Sequence, residues 1–109
     1  MAKSTDTEKR ERAKRLADLR RAAGFTQDQL VASMGNRLDR KYLSKIENGH
    51  NQAQTLLVID AYALGFRLSR DEIVAVLDGA LEVNEAARRS KRARGVVETE
   101  PTAATGTEG

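Results

Sequence analysis

The sequence predicts an all-α fold of five helices, and three observations carry that prediction. There is one proline and no run of alternating apolar and polar residues, so nothing in the chain asks for strands. Apolar residues recur instead at helical spacing, behind start signals in which a hydroxyl residue precedes Glu or Gln by three positions. Hydrophobic residues make up 39% of the 109 and aromatic residues 4%, which fits one small aliphatic core in a single domain.

Residues 1–6 read as a flexible N-terminus. Thr5 with Glu8 can open the first helix, which runs to about Ala23 with Ala13, Leu16, Ala17 and Leu19 as a narrow apolar stripe; Gly24 stops it. The charges between Glu8 and Arg15 alternate in sign, as on a solvated face laced with ion pairs. In the second helix Thr26 caps the backbone and Gln29 reaches back to complete a capping box, Leu30, Val31 and Met34 form the apolar side, and Gly35 ends the run. Asp39 caps a third helix that ends at Ile46 or Glu47, before Asn48-Gly49. Leu43 and Ile46 point inward, leaving Arg40, Lys41, Ser44 and Lys45 on the other face. Two short helices joined by a tight turn, the second basic and long enough for a DNA major groove, make a helix-turn-helix over residues 26–49.

Residues 55–64 are apolar nearly all round, the pattern of a buried helix at the centre of the core, with Asp60 and Tyr62 on its wetter side and Gly65 at its end. Ser69 with Glu72 opens the fifth helix, whose stripe is Ile73, Val76, Leu77, Ala80 and Leu81. The stripe can continue through Asn84 and Ala87, although Gly79 weakens the run by about 1 kcal/mol relative to alanine. The first half closes the core. The extended second half has spare apolar surface, for which a second copy of the chain is the simplest partner and its own core the alternative. The domain is therefore placed at residues 7–87, with a basic segment and a disordered tail at 88–109.

The net charge of +3 says little, but its distribution says more: cations gather at residues 9–15, 37–45 and 88–94, while Glu98, Glu100 and Glu108 lie in the tail. Residues 88–94 hold five cations in seven, read either as an arm on phosphates or as a helix end whose charges complement the macrodipole. The absence of cysteine excludes disulfides and thiolate metal sites, and no residue pattern points to a metal or cofactor. No apolar stretch is long enough to span a membrane, and residues 1–15 are too charged for a secretory signal. A cytoplasmic bacterial or phage protein is expected. The single histidine, His50, stands beside Gly49 with no carboxylate pair or nucleophile near it, so an enzyme is not expected.

Leu19-Arg20, Gly24-Phe25-Thr26-Gln27, Leu30, Gly35, the unbroken run Leu43 to Gly49, and Leu56-Leu57 through Ala63-Leu64-Gly65 occur in a specific order. From about Leu16 to Gly65 the chain resembles the lambda-repressor-like (Cro/repressor-type, XRE-family) helix-turn-helix domains of phage and bacterial regulators. It departs from them by a two-residue insertion, Asn36-Arg37, and by Val31-Ala32 where a small residue usually follows Leu30; both bear on how the two helices cross. The resemblance implies a sequence-specific regulator of transcription on double-stranded DNA, a repressor working as a homodimer on an inverted repeat. Its recognition helix, about 39–47, would enter the major groove.

By the same resemblance Arg40, Lys41, Ser44 and Lys45 read base edges. Arg and Lys donate well to guanine O6 and N7, so G·C pairs are expected beneath them, with phosphate contact the other reading for Lys41 or Lys45. Gln27 binds the phosphate backbone and braces the start of the recognition helix, and Asn48 donates to a phosphate at its end. Arg37 in the turn, and Asn51 and Gln52 in the loop after the helix, complete the phosphate set. Glu47 would repel DNA if exposed; the resemblance pairs it with Arg20 in a structural clamp. The rival reading is an antitoxin or adaptor whose main partner is another protein and whose operator binding is secondary, which the long last helix and tail allow.

Overall fold

The computed structural model describes residues 2–50 and 55–95, with side chains from residue 7. Those residues form six helices: α1 (Ala2–Ala22), α2 (Gln27–Ser33), α3 (Arg40–Glu47), α4 (Leu56–Phe66), α5 (Arg70–Leu77) and α6 (Val83–Ala93). None is long and apolar enough to cross a membrane. The tail expected to be disordered lies outside the described residues from residue 96 onward.

Helix α1 begins at Ala2, upstream of the Thr5–Glu8 signal, so residues 2–6 carry helical backbone. Its stripe is buried as expected at Ala13, Leu16, Ala17 and Leu19. The start signals of α2 and α5 are complete capping boxes. Thr26 Oγ1 accepts from the Gln29 backbone N–H at 3.0 Å while Gln29 Oε1 accepts from that of Thr26 at 2.9 Å; Ser69 and Glu72 repeat the exchange at 3.1 and 2.8 Å. Asp39 Oδ1 caps α3 by accepting from the Tyr42 N–H at 2.7 Å.

The Asn36-Arg37 insertion is absorbed in the turn. Gly35 and Asn36 both take left-handed backbone (φ 68° and 60°), and the Asn36 N–H donates to the Val31 carbonyl at 3.0 Å. Asn tolerates that region better than other non-glycine residues. The turn delivers Leu38, 4% exposed, into a core shared with Leu30, Met34, Leu43 and Ile46.

Helix α4 differs from its expected all-round burial. Val58, Tyr62 and Phe66, spaced by four, form its inward ridge, so Tyr62 is buried instead of lying on the wetter side. Leu56, Leu57 and Leu64 are 62%, 56% and 43% exposed. The reason is geometric: α2 and α5 pack against α4 on the inward sides, and the face running through Leu56, Asp60 and Leu64 meets solvent. At Gly65 the helix comes very close to α2. A Cβ there would sit 2.9 Å from Leu30 Cδ1 and 3.3 Å from Met34 Cβ, and Ser33 Oγ donates to the Gly65 carbonyl at 2.6 Å.

The expected long fifth helix is two helices. Helix α5 stops at Leu77 with Asp78 as its cap, Gly79 takes φ +80°, and the N–H groups of Ala80 and Leu81 both return to the Ala75 carbonyl. Ala80, expected inward, is exposed. Gly79 thus does more than weaken a helix: its left-handed backbone turns the chain so that α6 lies back along α1. Ala86, Ala87 and Ser90 are buried there, with Ser90 Oγ donating to the Phe66 carbonyl at 2.7 Å. Of the apolar stripe expected to meet a second copy or the chain's own core, Ala87 is buried in the core, Leu81 packs partly against it and Ala80 is exposed. Helix α6 also runs through the boundary placed at residue 87, making residues 88–93 helical.

Candidate nucleic-acid interface

Helix α3 separates its residues cleanly by face. Leu43 and Ile46 are fully buried, while Arg40, Lys41 and Lys45 are exposed and Ser44 is half-buried beside them. Spacing by four stacks Arg40, Ser44 and Asn48 in one row and Lys41 with Lys45 in the next. Asn48 Nδ2 lies 3.5 Å from Ser44 Oγ, which it can donate to, so the two polar residues of the row stand together. All four expected base readers therefore share one outward surface. Arg37 lies exposed in the preceding turn, whereas Asn51 and Gln52 fall outside the described residues.

The other side of α3 is fixed by charge. Arg20 donates to Glu47 through Nε (2.7 Å to Oε2) and Nη2 (3.2 Å to Oε1), and its Nη1 donates to the Phe25 carbonyl at 2.9 Å. The side chains of Arg20 and Glu47 are 11% and 6% exposed. This bidentate, partly desolvated pair is the clamp expected from the sequence, and it turns the carboxylate away from the cationic face. Gln27 joins it, donating from Nε2 to Glu47 Oε1 at 3.1 Å. Gln27 thus braces the end of α3, where the start had been expected, because Glu47 is the helix's last residue.

Sequence reasoning missed three residues around this centre. Asp28, in the first turn of α2, lies 3.7 Å from Arg40 Nε, and the two side chains border a cleft of about 320 Å³ with Arg20, Phe25, Thr26 and Gln27. Acidic residues in a first turn complement the helix dipole, so its type alone signalled nothing more. Tyr62 is the second. Burial pushes its phenol well above the usual range, the nearby Glu47 adds to the rise, and Arg20 opposes it. The third is Arg94, whose guanidinium lies 4.2 Å above the Phe25 ring, just before the cap of α2. Its sequence distance from the helix-turn-helix concealed it.

His50 is exposed in the turn after α3, its backbone N–H donating to the Lys45 carbonyl at 2.8 Å. Among the described residues no group of His, Asp and Glu is placed to hold a metal ion.

A helix-turn-helix family model matches residues 16–73, more than half of the chain, from the buried stripe of α1 to Ile73 in α5. A search of curated proteins and one of solved structures each returned no match. With α2 and α3 joined by a tight turn, a cationic outer face on α3 and this match, the chain belongs to the XRE-type, lambda-repressor-like helix-turn-helix family of DNA-binding regulators.

Proposed function

We propose that the protein is a repressor that binds an inverted-repeat operator as a homodimer, with α3 in the major groove. The observation that supports it is the single outward face of α3, where Arg40, Lys41, Ser44 and Lys45 stand free of the core while Leu43, Ile46 and Glu47 anchor the helix behind them. In this reading Arg40 and Lys41 donate to guanine O6 and N7, and Ser44 and Lys45 reach neighbouring edges or phosphate. Arg37, Asn48, Asn51 and Gln52 contact the backbone, as does the second amide hydrogen of Gln27. The operator carries G·C pairs where the cations land. Repression follows from occupying the promoter, in the compartment that holds the DNA, with no chemistry required.

One helix reads too few base pairs to be selective, and two half-sites about one turn apart supply the rest. The surface that supports a second copy is the outer face of α4, where Leu56, Leu57 and Leu64 are exposed, instead of the C-terminal helix. Leu57 also borders a cleft with Arg37, Leu38, Asp39 and Tyr42, so this face adjoins the start of α3. The same leucines favour the second reading, in which a different protein sits there and operator binding is secondary, as in an antitoxin.

Selection from a random duplex pool at near-physiological salt, with sequencing of the bound fraction, tests the proposal. An enriched inverted repeat is expected. No enrichment by the folded protein would remove base reading by α3 and leave the protein-partner reading.

A further inference from the structure

Helix α6 lies entirely outside residues 16–73, yet its end is built into the corner from which the helix-turn-helix starts. Arg94 caps α6. Its guanidinium covers the Phe25 ring, its Nη2 donates to the Ala23 carbonyl at 2.9 Å, and its Nε donates to the carbonyl and the hydroxyl of Ser90 at 3.2 and 3.1 Å. Among the described residues Arg94 has no carboxylate partner. A ring face and fixed oxygens hold it instead, a geometry that the planar fork of arginine satisfies and the point charge of lysine does not. Burial and the neighbouring Arg67 both lower its pKa, which marks a charge placed there at some electrostatic cost.

Phe25, gripped in this way, is the residue before the cap Thr26, and its ring stacks edge-on against Phe66 at 5.6 Å. Its carbonyl accepts from Arg20 Nη1, and the same guanidinium holds Glu47 through its other two nitrogens. An unbroken series of contacts therefore runs from Arg94 through Phe25 and Arg20 to the last residue of α3. Arg88 and Arg89, by contrast, pair with Glu85 and Glu72 on the surface, and Arg92 points outward.

We infer that Arg94 is a positioning residue for DNA binding: by fixing Ala23 and Phe25 it sets the corner from which Arg20 and Gln27 hold Glu47, and with it the pose of α3. The DNA-binding unit of this chain then includes α6. The inference rests on the reading of α3 given above, but half of its test needs no DNA.

The test compares the full chain with Arg94→Ala, Arg94→Lys and Arg92→Ala at a temperature where circular dichroism shows each fully folded. One readout is hydrogen exchange at the Arg20 Nε–H, followed by NMR without DNA; the other is affinity for the selected operator at fixed salt. Both Arg94 variants are expected to exchange faster and bind more weakly, each by about tenfold, the scale of one charge-assisted hydrogen bond. Arg92→Ala, which removes a nearby exposed cation, should leave the exchange unchanged and cost less affinity. Wild-type exchange in both Arg94 variants would overturn the inference whatever happens to DNA binding. So would full rescue by Arg94→Lys, or an affinity loss in Arg92→Ala as large as that in Arg94→Ala, since charge alone would then explain the effect. If no operator is selected by the wild-type chain, the reading of α3 fails, and exchange still decides whether Arg94 acts on the clamp.

Discussion

Gln27 Nε2 donates to Glu47 Oε1 at 3.1 Å, tying the first residue of α2 to the last residue of α3. The relative pose of the two helices is thus set by a polar bolt at one end and by Leu30, Met34, Leu43 and Ile46 along the shared core. Arg20 completes the bolt and satisfies both carboxylate oxygens. Glu47→Ala would leave the Arg20 guanidinium, 11% exposed, without its counter-charge. A loss of about 3–5 kcal/mol in urea unfolding is expected, the usual cost of halving a buried pair. Arg20→Met with Glu47→Leu should lose clearly less than the two single changes added together. Simple additivity would show that the pair is not coupled.

Gly65→Ala tests the close approach of α4 to α2. The added methyl would meet Leu30 Cδ1 at 2.9 Å and Met34 Cβ at 3.3 Å. Helix propensity favours alanine, but the overpacking should prevail and destabilise the fold by about 1–3 kcal/mol. A rise in melting temperature would mean that Leu30 and Met34 yield freely.

Leu57→Glu and Leu64→Glu probe the outer face of α4. Both positions are more than two-fifths exposed, so folding stability should change by no more than about 0.5 kcal/mol. Sedimentation equilibrium is expected to show a shift from dimer toward monomer, with weaker operator binding. Wild-type dimers in both variants would place the interface elsewhere.

Glu72 gives a pH dependence of known sign. Its carboxyl lies below the ordinary 4.5, first because it accepts from the Ser69 backbone N–H and further because Arg89 donates to it. A carboxyl depressed by folding contributes stability that is complete above its unfolded pKa and is lost as pH falls through the folded one. Melting temperature should therefore decline below about pH 4.5. Glu72→Gln keeps an acceptor for Ser69 and should flatten that decline. Parallel wild-type and variant curves would show that Glu72 contributes nothing to it.

Much of this was legible in the sequence because the signals are local. A hydroxyl three residues before Glu or Gln can fix a helix start through two short hydrogen bonds, as Thr26 and Ser69 do, whereas Thr5 lies inside α1. The Arg20–Glu47 clamp and the outward face of α3 followed from the resemblance and from helical spacing. What stayed hidden depends on neighbours distant in sequence. Leu56 and Leu57 are as apolar as Val58, and only the placement of α2 and α5 decides which of them meets water. Tyr62 shares a ridge with Val58 and Phe66, and only the packing of the other helices shows that this side of an all-apolar helix is the buried one. Gly79 marked a weak point, but whether the chain bends there or merely frays depends on the fit of Ala86, Ala87 and Ser90 on α1 and Phe66. Arg94 and Phe25 are 69 positions apart, and no periodicity joins them.

The central claim, that the outer face of α3 reads bases, is tested most directly by measuring wild type and Arg40→Ala against the selected operator and its single-base variants at fixed salt. Wild type should discriminate at a G·C position by about 1–3 kcal/mol, and Arg40→Ala should lose that discrimination while keeping its preferences elsewhere. A uniform weakening across all sequences, with every base preference intact, would make Arg40 a phosphate contact and contradict the account.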